Sequence, residues 1–253
     1  MNLTSRSGDP ESAGADAVFL TAEWRHLAML NYEVDEGLLL PFVPAGTELD
    51  RWNDKVFVSL VGFRFLKTKL FGLLPAPMHS DFEEVNLRFY VRRHTGGEVR
   101  RGVVFIREMV PRRAIAFVAR TFYNEKYVAL PMAHEIRSVD DDRLKVAYRW
   151  KSGNRWSNLS IETEGDSKLP ADGSAERFIT EHYWGYAAQT DGGCMEYRVT
   201  HPSWRVWQTR HSAFGGDAEK LYGKDFAAVL RGKPQSAFLA DGSVVTVMRG
   251  RRL

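Results

Sequence analysis

Residues 82–91, with the sequence FEEVNLRFYV, decide the fold, because they fit a β-strand that carries its charges in an unusual place. Alternate residues of a strand share a face. One face is mostly apolar and holds Glu83, Val85, Leu87, Phe89 and Val91. The other face aligns polar side chains between aromatic ones and holds Phe82, Glu84, Asn86, Arg88 and Tyr90.

Two interpretations of this polar face stay open. In the first, the face is solvated and Glu84 pairs with Arg88 at the surface, where an ion pair is worth at most about 1 kcal/mol. In the second, the face lines a closed barrel whose interior holds a polar pocket.

The neighbouring predicted strands, residues 102–109 and 114–122, form an antiparallel meander with 82–92. Each contains a continuous apolar run, which is typical of a strand buried on both faces. Each run ends in charge, and a buried charge must be paired or cost several kcal/mol. We therefore expect five charged residues to converge at one end of the sheet, either as a structural ion-pair network or as an anion-binding pocket: Glu84, Arg88, Arg107, Glu108 and Arg120.

The rest of the chain is also rich in strands. Further strands are predicted at residues 24–34, 55–65, 144–151, 156–164, 181–188 and 194–200, with a helix at 217–230 and short helical turns at 35–41 and 174–179. An apolar loop is expected at 66–80, and a hairpin at 237–248 around Asp241-Gly242, a strong turn signal. Residues 17–253 are expected to form a single β-rich barrel domain, and residues 1–16, rich in Ser, Gly, Asp and Ala, to be disordered.

Two further segments carry residues suited to chemistry. Residues 120–127 place Tyr123, Asn124, Lys126 and Tyr127 between apolar stretches, and a lysine in a dry site beside other cations can become a Schiff-base nucleophile. The other segment, 178–186, contains Glu181, His182 and Tyr183 among aromatic residues. In the predicted strand 181–188, His182 shares its face with Thr180, Trp184 and Tyr186. A surface lysine and a hydrogen-bonded core histidine are the structural alternatives.

The composition excludes several classes of site. The single cysteine, Cys194, can form neither an internal disulfide nor a zinc site alone, which favours a reducing, cytoplasmic environment. The seven histidines show no metal-binding spacing, and neither a phosphate-binding loop nor a dinucleotide fingerprint is present, so no metal or cofactor is expected. The net charge of +3 is spread along the chain apart from a basic tail at 249–253, taken as a solvated end. Neither nucleic acid nor membrane is an expected partner.

Several motifs, in order, resemble the YqjF-like family of bacterial proteins, which is thought to share the acetoacetate-decarboxylase-like fold. They are Phe82-x-Glu84-Val85-Asn86-Leu87-Arg88, Ala119-Arg120-x-x-Tyr123-Asn124-Glu125-x-Tyr127, Glu181-His182-Tyr183-x-Gly185-Tyr186 and His201-Pro202-x-Trp204. The resemblance implies a mainly β (α+β) protein, an antiparallel closed or partly closed β-barrel with a few peripheral helices. In acetoacetate decarboxylases a lysine forms a Schiff base with a β-keto acid, assisted by a glutamate and an arginine. That lysine would fall at Tyr127, one position after Lys126, so the resemblance does not carry the mechanism over.

The sequence therefore predicts binding or transformation of a small anionic or carbonyl-bearing molecule, and does not decide whether the chain is an enzyme. Proton transfer is assigned to Glu84, Tyr127 or His182. The residues expected to bind the ligand are Asn86, Arg88, Arg107, Arg120, Tyr123, Asn124, Glu181 and Tyr183. Decarboxylation through Lys126 and a non-catalytic ligand-binding or structural barrel are the alternatives. Association into a homo-oligomer is left open.

Overall fold

The computed structural model describes residues 17–71, 74–75, 80–111, 127–140 and 142–253, and these are mostly β-strand. The strands are β1 Val18–Val34, β2 Glu48–Leu49, β3 Val56–Leu70, β4 Leu74–Pro75, β5 Phe82–Thr95, β6 Glu98–Val110, β7 Tyr127–Ala129, β8 Met132–Asp140, β9 Arg143–Ser152, β10 Arg155–Lys168, β11 Trp184–Ala188, β12 Cys194–Thr200, β13 Val206–Gly215, β14 Ser236–Met248 and β15 Arg251–Arg252. The helices are α1 Glu36–Leu39, followed by a 3₁₀ turn at Leu40–Phe42, α2 Ala175–Thr180 and α3 Ala218–Arg231.

Seven strands pair in a ring. The hydrogen-bonded order is β1–β3–β5–β6–β11–β12–β14, and β14 pairs back with β1 along most of its length. The contact between β12 and β14 is short, with Val199 opposite Val247 and Thr200 opposite Thr246. Beyond β14 the sheet continues through β13, β10, β9 and β8. The observed fold is thus mainly β, as predicted.

The central strand β5 is buried on both faces. Val85, Leu87 and Phe89 belong to one apolar cluster, which also contains residues of β9, β10 and α3. Phe82 and Tyr90, from the alternate face, belong to a second cluster with residues of β1, β3, β12 and β14. Because Glu84, Asn86 and Arg88 are only 4, 2 and 8% exposed, the interpretation of their face as a solvated surface with a Glu84–Arg88 pair is wrong.

A β-bulge in β6 decides which charge reaches this second face. Leu87 lies opposite Arg107 but Arg88 lies opposite Phe105, so β6 carries one extra residue here. A bulge reverses the alternation of the residues that follow it. As a result Glu108 lies on the same face as Val103 and Phe105, and Arg107 does not.

The predicted hairpin at 237–248 is wrong, because β14 runs through Asp241-Gly242 without turning back. Ala240 pairs with Leu27, and Gly242 pairs with Arg25 of the same neighbouring strand. Gly242 has a φ of 77°, and a Cβ there would lie 2.0 Å from the carbonyl oxygen of Trp24. The glycine therefore permits an irregular, very close pairing, a role that sequence alone cannot distinguish from a turn.

Other sequence predictions meet mixed outcomes. The strands predicted at 24–34, 55–65, 144–151, 156–164 and 194–200, the helix at 217–230 and both helical turns are confirmed, most of them with longer bounds. The loop expected at 66–80 is wrong in part, since β3 extends to Leu70 and β4 follows. Strand β11 begins only at Trp184, so His182 does not share a strand face with Thr180, which lies in α2.

The basic tail is exposed, as predicted, but it also pairs with the sheet. Arg251 and Arg252 form β15, which pairs with β12, and they bond to Glu196 and Asp191 respectively. By contrast, the strand predicted at 114–122 and the disorder predicted at 1–16 fall outside the described residues. In the part of the chain that is described, no helix has the length and apolar character needed to cross a membrane.

The close pairing at Gly242 predicts a position-specific cost for a methyl group. Gly97, in the β5–β6 turn, has the same φ of 77°, but no atom lies within 4 Å of the position that a Cβ would occupy there. Both Gly242→Ala and Gly97→Ala place a side chain at the same positive φ, but only the first also forces atoms apart, which typically costs about 1–3 kcal/mol. We expect urea denaturation to show a larger loss of unfolding free energy, by about that amount, for Gly242→Ala. Equal losses would contradict the assigned pairing.

Candidate functional site

A cavity lies on the second face of β5, and every strand of the ring contributes to it. Its free volume is about 50 Å³, below the roughly 300–1,000 Å³ of drug-sized sites and enough for a few water molecules or a small anion. The lining residues are Trp24, Leu27, Phe63, Phe65, Glu84, Asn86, Arg88, Val103, Phe105, Glu108, Tyr127, Ile179, Thr180, His182, Trp184, Tyr197, Val199, His201, Trp204 and Val247.

The polar groups of the cavity are concentrated on β5, β6 and the segments next to them. We call this the charged wall: Glu84, Asn86, Arg88, Glu108, Tyr127 and His182. The Asn86 amide donates to Glu84 Oε1 at 2.9 Å. Asn86 lies directly opposite Glu108 in the sheet, and the hydroxyl of Tyr127 donates to Glu108 Oε1 at 2.7 Å. Strand pairing alone therefore brings two carboxylates and an amide together.

Arg88 is held at one end of this row. Its Nη2 donates to the carbonyl of Ile179 over a long 3.4 Å, and its guanidinium carbon lies 5.7 Å from the centre of the Tyr90 ring. Tyr90 is fixed in turn by a hydrogen bond of 2.6 Å to Ser59, which also donates to Asn31. The arginine thus packs on a tyrosine ring whose position is fixed by hydrogen bonds.

His182 follows α2 and is oriented by Asp50, which comes before β3 in the chain. Its Nε2 lies 3.1 Å from Asp50 Oδ2, and the same oxygen accepts a hydrogen bond of 2.6 Å from Arg101. The ring is packed between Tyr90 and Phe178, with centroid distances of 4.7 and 5.1 Å. Asp50 does not line the cavity, so the imidazole separates that carboxylate from the interior.

The protonation states of this pair follow from burial and charge. Burial lowers the pKa of His182 to about 4, against the opposing effect of Asp50. Burial raises the pKa of Asp50, but hydrogen bonds from His182 and Arg101 outweigh it, and the net shift is downward. At neutral pH a carboxylate therefore faces a neutral imidazole. Since a carboxylate only accepts, the proton of His182 lies on Nε2, and Nδ1 is an acceptor.

Three buried polar atoms of the charged wall have no hydrogen-bond partner among the residues that the structure describes. They are Asn86 Oδ1, Arg88 Nε and His182 Nδ1. Buried polar groups are normally satisfied, so unsatisfied ones call for an explanation such as a missing ligand or water. One donor and two acceptors therefore lack a partner among the described residues, and all three belong to side chains that line the cavity.

The structure brings together only some of the residues selected from the sequence. Glu84, Asn86, Arg88, Tyr127 and His182 line the cavity. Arg107 does not line the cavity, because the bulge in β6 turns it toward the α3 side, where its charge acts on Tyr222. Four others lie outside the described residues: Arg120, Tyr123, Asn124 and Lys126.

Glu181 and Tyr183 bond to each other and line a separate, more open depression. The depression is organised by Glu196, whose side chain is fully buried and accepts hydrogen bonds from Arg93, Arg100 and Arg251. Glu181 and Tyr183 therefore do not line the cavity formed by the strand ring. The arginines around Glu196 tie β5, β6, β12 and the C-terminal strand together.

The sequence missed several lining residues and the partner of His182. Asp50 lies outside any predicted element, and nothing in its neighbourhood signals a pairing 132 residues away. The aromatic residues Trp24, Phe63 and Phe65 look like ordinary core in the sequence. His201 and Trp204, whose rings stack at 4.1 Å, belong to the motif His201-Pro202-x-Trp204 quoted for the family resemblance.

The described residues include no cluster of His, Cys, Asp or Glu suited to a metal ion. Cys194 is buried, and burial raises the pKa of its thiol to about 11. A thiol with a raised pKa is a poor nucleophile, so nucleophilic chemistry at Cys194 is disfavoured.

The lowered pKa of His182 predicts a specific loss of stability in acid. In the unfolded chain His182 binds a proton with the ordinary histidine pKa of 6.5, and in the folded chain only near 4. This contribution to stability is therefore present above pH 6.5 and is lost as the pH falls toward 4. Between pH 7 and 5 the unfolding free energy of the wild type is expected to fall by about 2 kcal/mol more than that of His182→Gln.

The exposed His211 provides the control, because His211→Gln is expected to keep the wild-type dependence. Urea denaturation at the two pH values measures all three proteins. The same acid sensitivity in His182→Gln and the wild type would refute the buried, neutral state of His182.

The comparisons with known proteins agree with this fold. The chain is 26% identical over 134 residues to the uncharacterized protein YqjF of Bacillus subtilis (strain 168), a match that covers 53% of this chain and only about half, 54%, of that protein. The fold resembles acetoacetate decarboxylase from Legionella pneumophila, with a TM-score of 0.63, 15% identity and coverage of 99 and 98% of the two chains. It also resembles the enduracididine biosynthesis enzyme MppR complexed with pyruvate, with a TM-score of 0.62, 13% identity and coverage of 92 and 90%.

A protein-family match settles the family assignment. It spans residues 21–244, which include all seven strands of the ring in whole or in large part, and the family is described as an uncharacterized conserved protein. The chain belongs to the DUF2071 family, and it has the acetoacetate-decarboxylase-like fold implied by the sequence motifs.

Proposed function

We propose that the cavity binds or transforms a small anionic or carbonyl-bearing molecule. The observation that carries this is the set of unsatisfied atoms on the charged wall, above all Arg88 Nε in a buried guanidinium. A carboxylate is the natural partner for such a group, since guanidinium binds it with matched geometry.

The chemistry of one fold relative points the same way. MppR, which shares the fold at 13% identity, forms a complex with pyruvate, an anion that carries a carbonyl. That complex is a property of MppR. It makes keto acids the first ligands to test on this chain.

The proposed roles follow from the hydrogen-bond inventory. Arg88, with Arg120 as a second candidate, holds the anion. Among the groups proposed for proton transfer, His182 presents an acceptor at Nδ1, which suits a general base or a partner for a ligand hydroxyl. Glu84 and Tyr127 are the other proton-transfer candidates.

Two alternatives lead to different chemistry. A Schiff base on Lys126 would make the protein a decarboxylase, and a barrel that only binds its ligand would need no proton transfer. We further propose that the strand ring is a closed barrel, that residues 17–253 act as one domain, and that the protein works in the cytoplasm. Self-association is left open.

The central test is binding of a panel of small keto acids and simple carboxylates, measured by ligand-observed NMR and calorimetry. We expect at least one acid to bind the wild type and Arg88→Met to weaken it by about tenfold or more, because truncating one partner of a buried charge pair costs about 2–5 kcal/mol.

Arg107→Met is the matched control, because Arg107 also has an unpartnered buried Nε among the described residues but does not line the cavity. It is expected to bind as the wild type does. No binder in the panel, or a loss confined to Arg107→Met, would refute the proposal.

A separate experiment distinguishes the Schiff-base alternative. If Lys126 forms an imine with a keto acid, borohydride reduction in the presence of that acid leaves a stable adduct on Lys126, which peptide mass spectrometry detects. An unmodified Lys126 at a concentration of acid that saturates binding eliminates this mechanism.

A further inference from the structure

Strand β8 is an edge of the sheet. Among the described residues it pairs with β9 alone, at the end of the hydrogen-bonded order. Ala133, His134, Arg137 and Ser138 are exposed along it. The free edge of such a strand presents a row of backbone N–H and C=O groups, to which a strand of another chain can add.

The backbone groups on the outer edge of β8 belong to every second residue. The amide of Lys151 in β9 donates to the carbonyl of Pro131 at 2.9 Å, so these two opposed residues form a hydrogen-bonded pair. In an antiparallel ladder such pairs alternate with non-hydrogen-bonded ones, so the odd-numbered residues of β8 bond to β9. The N–H and C=O groups directed away from β9 belong to the even-numbered residues His134, Ile136 and Ser138.

The side chains next to Ile136 carry opposite charges. Ile136 itself packs against the apolar cluster that contains residues of β9, β10 and α3. Glu135 and Arg137 lie on the opposite, solvated face, where Arg137 Nε donates to Glu135 Oε1 at 2.9 Å. Glu135 also accepts a hydrogen bond of 3.1 Å from Arg149 of β9. A carboxylate and a guanidinium therefore flank Ile136, one on each side along the strand.

This order of charges is complementary to itself in an antiparallel pair. A second copy of β8 can bond to the outward N–H and C=O groups only where even-numbered residues oppose even-numbered ones. A pairing centred on Ile136 meets this condition and sets Glu135 opposite Arg137 of the second copy, twice by symmetry. Centring the pair on Glu135 or on Arg137 meets it too, but sets two carboxylates or two guanidinium groups directly opposite each other, which is destabilising. Backbone and charge together select one register.

Two features confine such a pairing to the middle of β8. Pro131, which has no backbone N–H, comes directly before the strand. At the other end the ladder with β9 shifts register between Ser138 and Asp140. Prolines and bulges are devices by which edge strands avoid open-ended association. A two-fold contact uses the edge of both copies and therefore closes at the dimer.

We propose that two copies of this chain associate through β8, in an antiparallel two-fold pairing centred on Ile136 that continues the sheet of one copy into the other. This association does not depend on the ligand of the cavity. One strand per copy buries less surface than the roughly 1,600 Å² of a standard interface, so the dissociation constant is expected in the micromolar range.

Sedimentation equilibrium of the full-length chain between about 1 and 300 µM tests the association itself. We expect a reversible equilibrium between monomer and dimer. A monomer throughout this range, or growth beyond the dimer, overturns the proposal.

Charge reversal tests the register. Arg137→Glu sets two carboxylates opposite each other in both symmetry-related pairs, and Glu135→Arg does the same with two guanidinium groups. These pairs are non-hydrogen-bonded ones, in which opposed side chains lie closest. Each variant is therefore expected to dimerise at least about tenfold more weakly than the wild type, and the double variant Glu135→Arg/Arg137→Glu to regain wild-type association. Unchanged association in the single variants overturns the register.

Mixing the two single variants separates contacts between copies from contacts within one copy. Each single variant loses the ion pair inside its own β8, yet an equimolar mixture sets opposite charges against each other across the two-fold axis. We expect the mixture to form a heterodimer about as tight as the wild-type dimer. A mixture that associates as weakly as its components contradicts the proposed pairing.

Arg210→Glu is the matched control, because Arg210 is exposed on β13, away from β8, and the change of charge is the same. It is expected to dimerise as the wild type does. Equal weakening in Arg210→Glu and Arg137→Glu would trace the effect to net charge and overturn the register. Thermal melts confirm that each variant is folded before its association is compared.

Hydrogen exchange followed by NMR locates the contact in the wild type alone. The amides of His134, Ile136 and Ser138 are expected to exchange more slowly as the protein concentration rises, because dimerisation supplies their acceptors. Those of Glu135 and Arg137, already bonded to β9, are expected to change little. Absence of this alternation at concentrations where the dimer predominates overturns pairing through β8.

Discussion

The structure depends on one constraint: β5 is buried on both faces, yet one of its faces is polar. The ring β1–β3–β5–β6–β11–β12–β14 encloses that face, and the sheet extension with α3 covers the other. Because polar and charged groups removed from water need hydrogen-bond partners, Glu84, Asn86 and Arg88 depend on partners inside the ring. Neighbouring residues supply some of these partners, whereas Asn86 Oδ1 and Arg88 Nε have none among the described residues.

The polar interior is arranged by small departures from regular pairing. The bulge in β6 brings Glu108 and not Arg107 to the cavity, and the irregular pairing of Gly242 with β1 lets β14 continue toward its contact with β12. Asp50 then fixes the proton of His182 from outside the cavity. Each of these three features is local, but together they determine which hydrogen-bond donors and acceptors line the cavity.

Much of the fold was predictable because it follows from the alternation of residues. The pattern of 82–91 identified the polar face of β5, and the helical spacing of apolar residues in 217–230 identified α3. The sequence patterns did not predict features that depend on contacts between residues far apart in the chain. The place of Arg107 depends on a bulge relative to β5, the meaning of Asp241-Gly242 depends on β1, and the partner of His182 lies 132 residues away. No pattern along the chain records these relations, whereas the family motifs did indicate the overall fold.

The central claim is that Arg88 and Asn86 lie in an enclosed cavity with hydrogen-bonding capacity left for a ligand. A crystal structure at high resolution tests it most directly. We expect both side chains inside the strand ring, with an ordered ligand or water within about 3 Å of Arg88 Nε. Arg88 extended into bulk solvent, or paired entirely by the protein's own side chains with no space beside it, would contradict the claim.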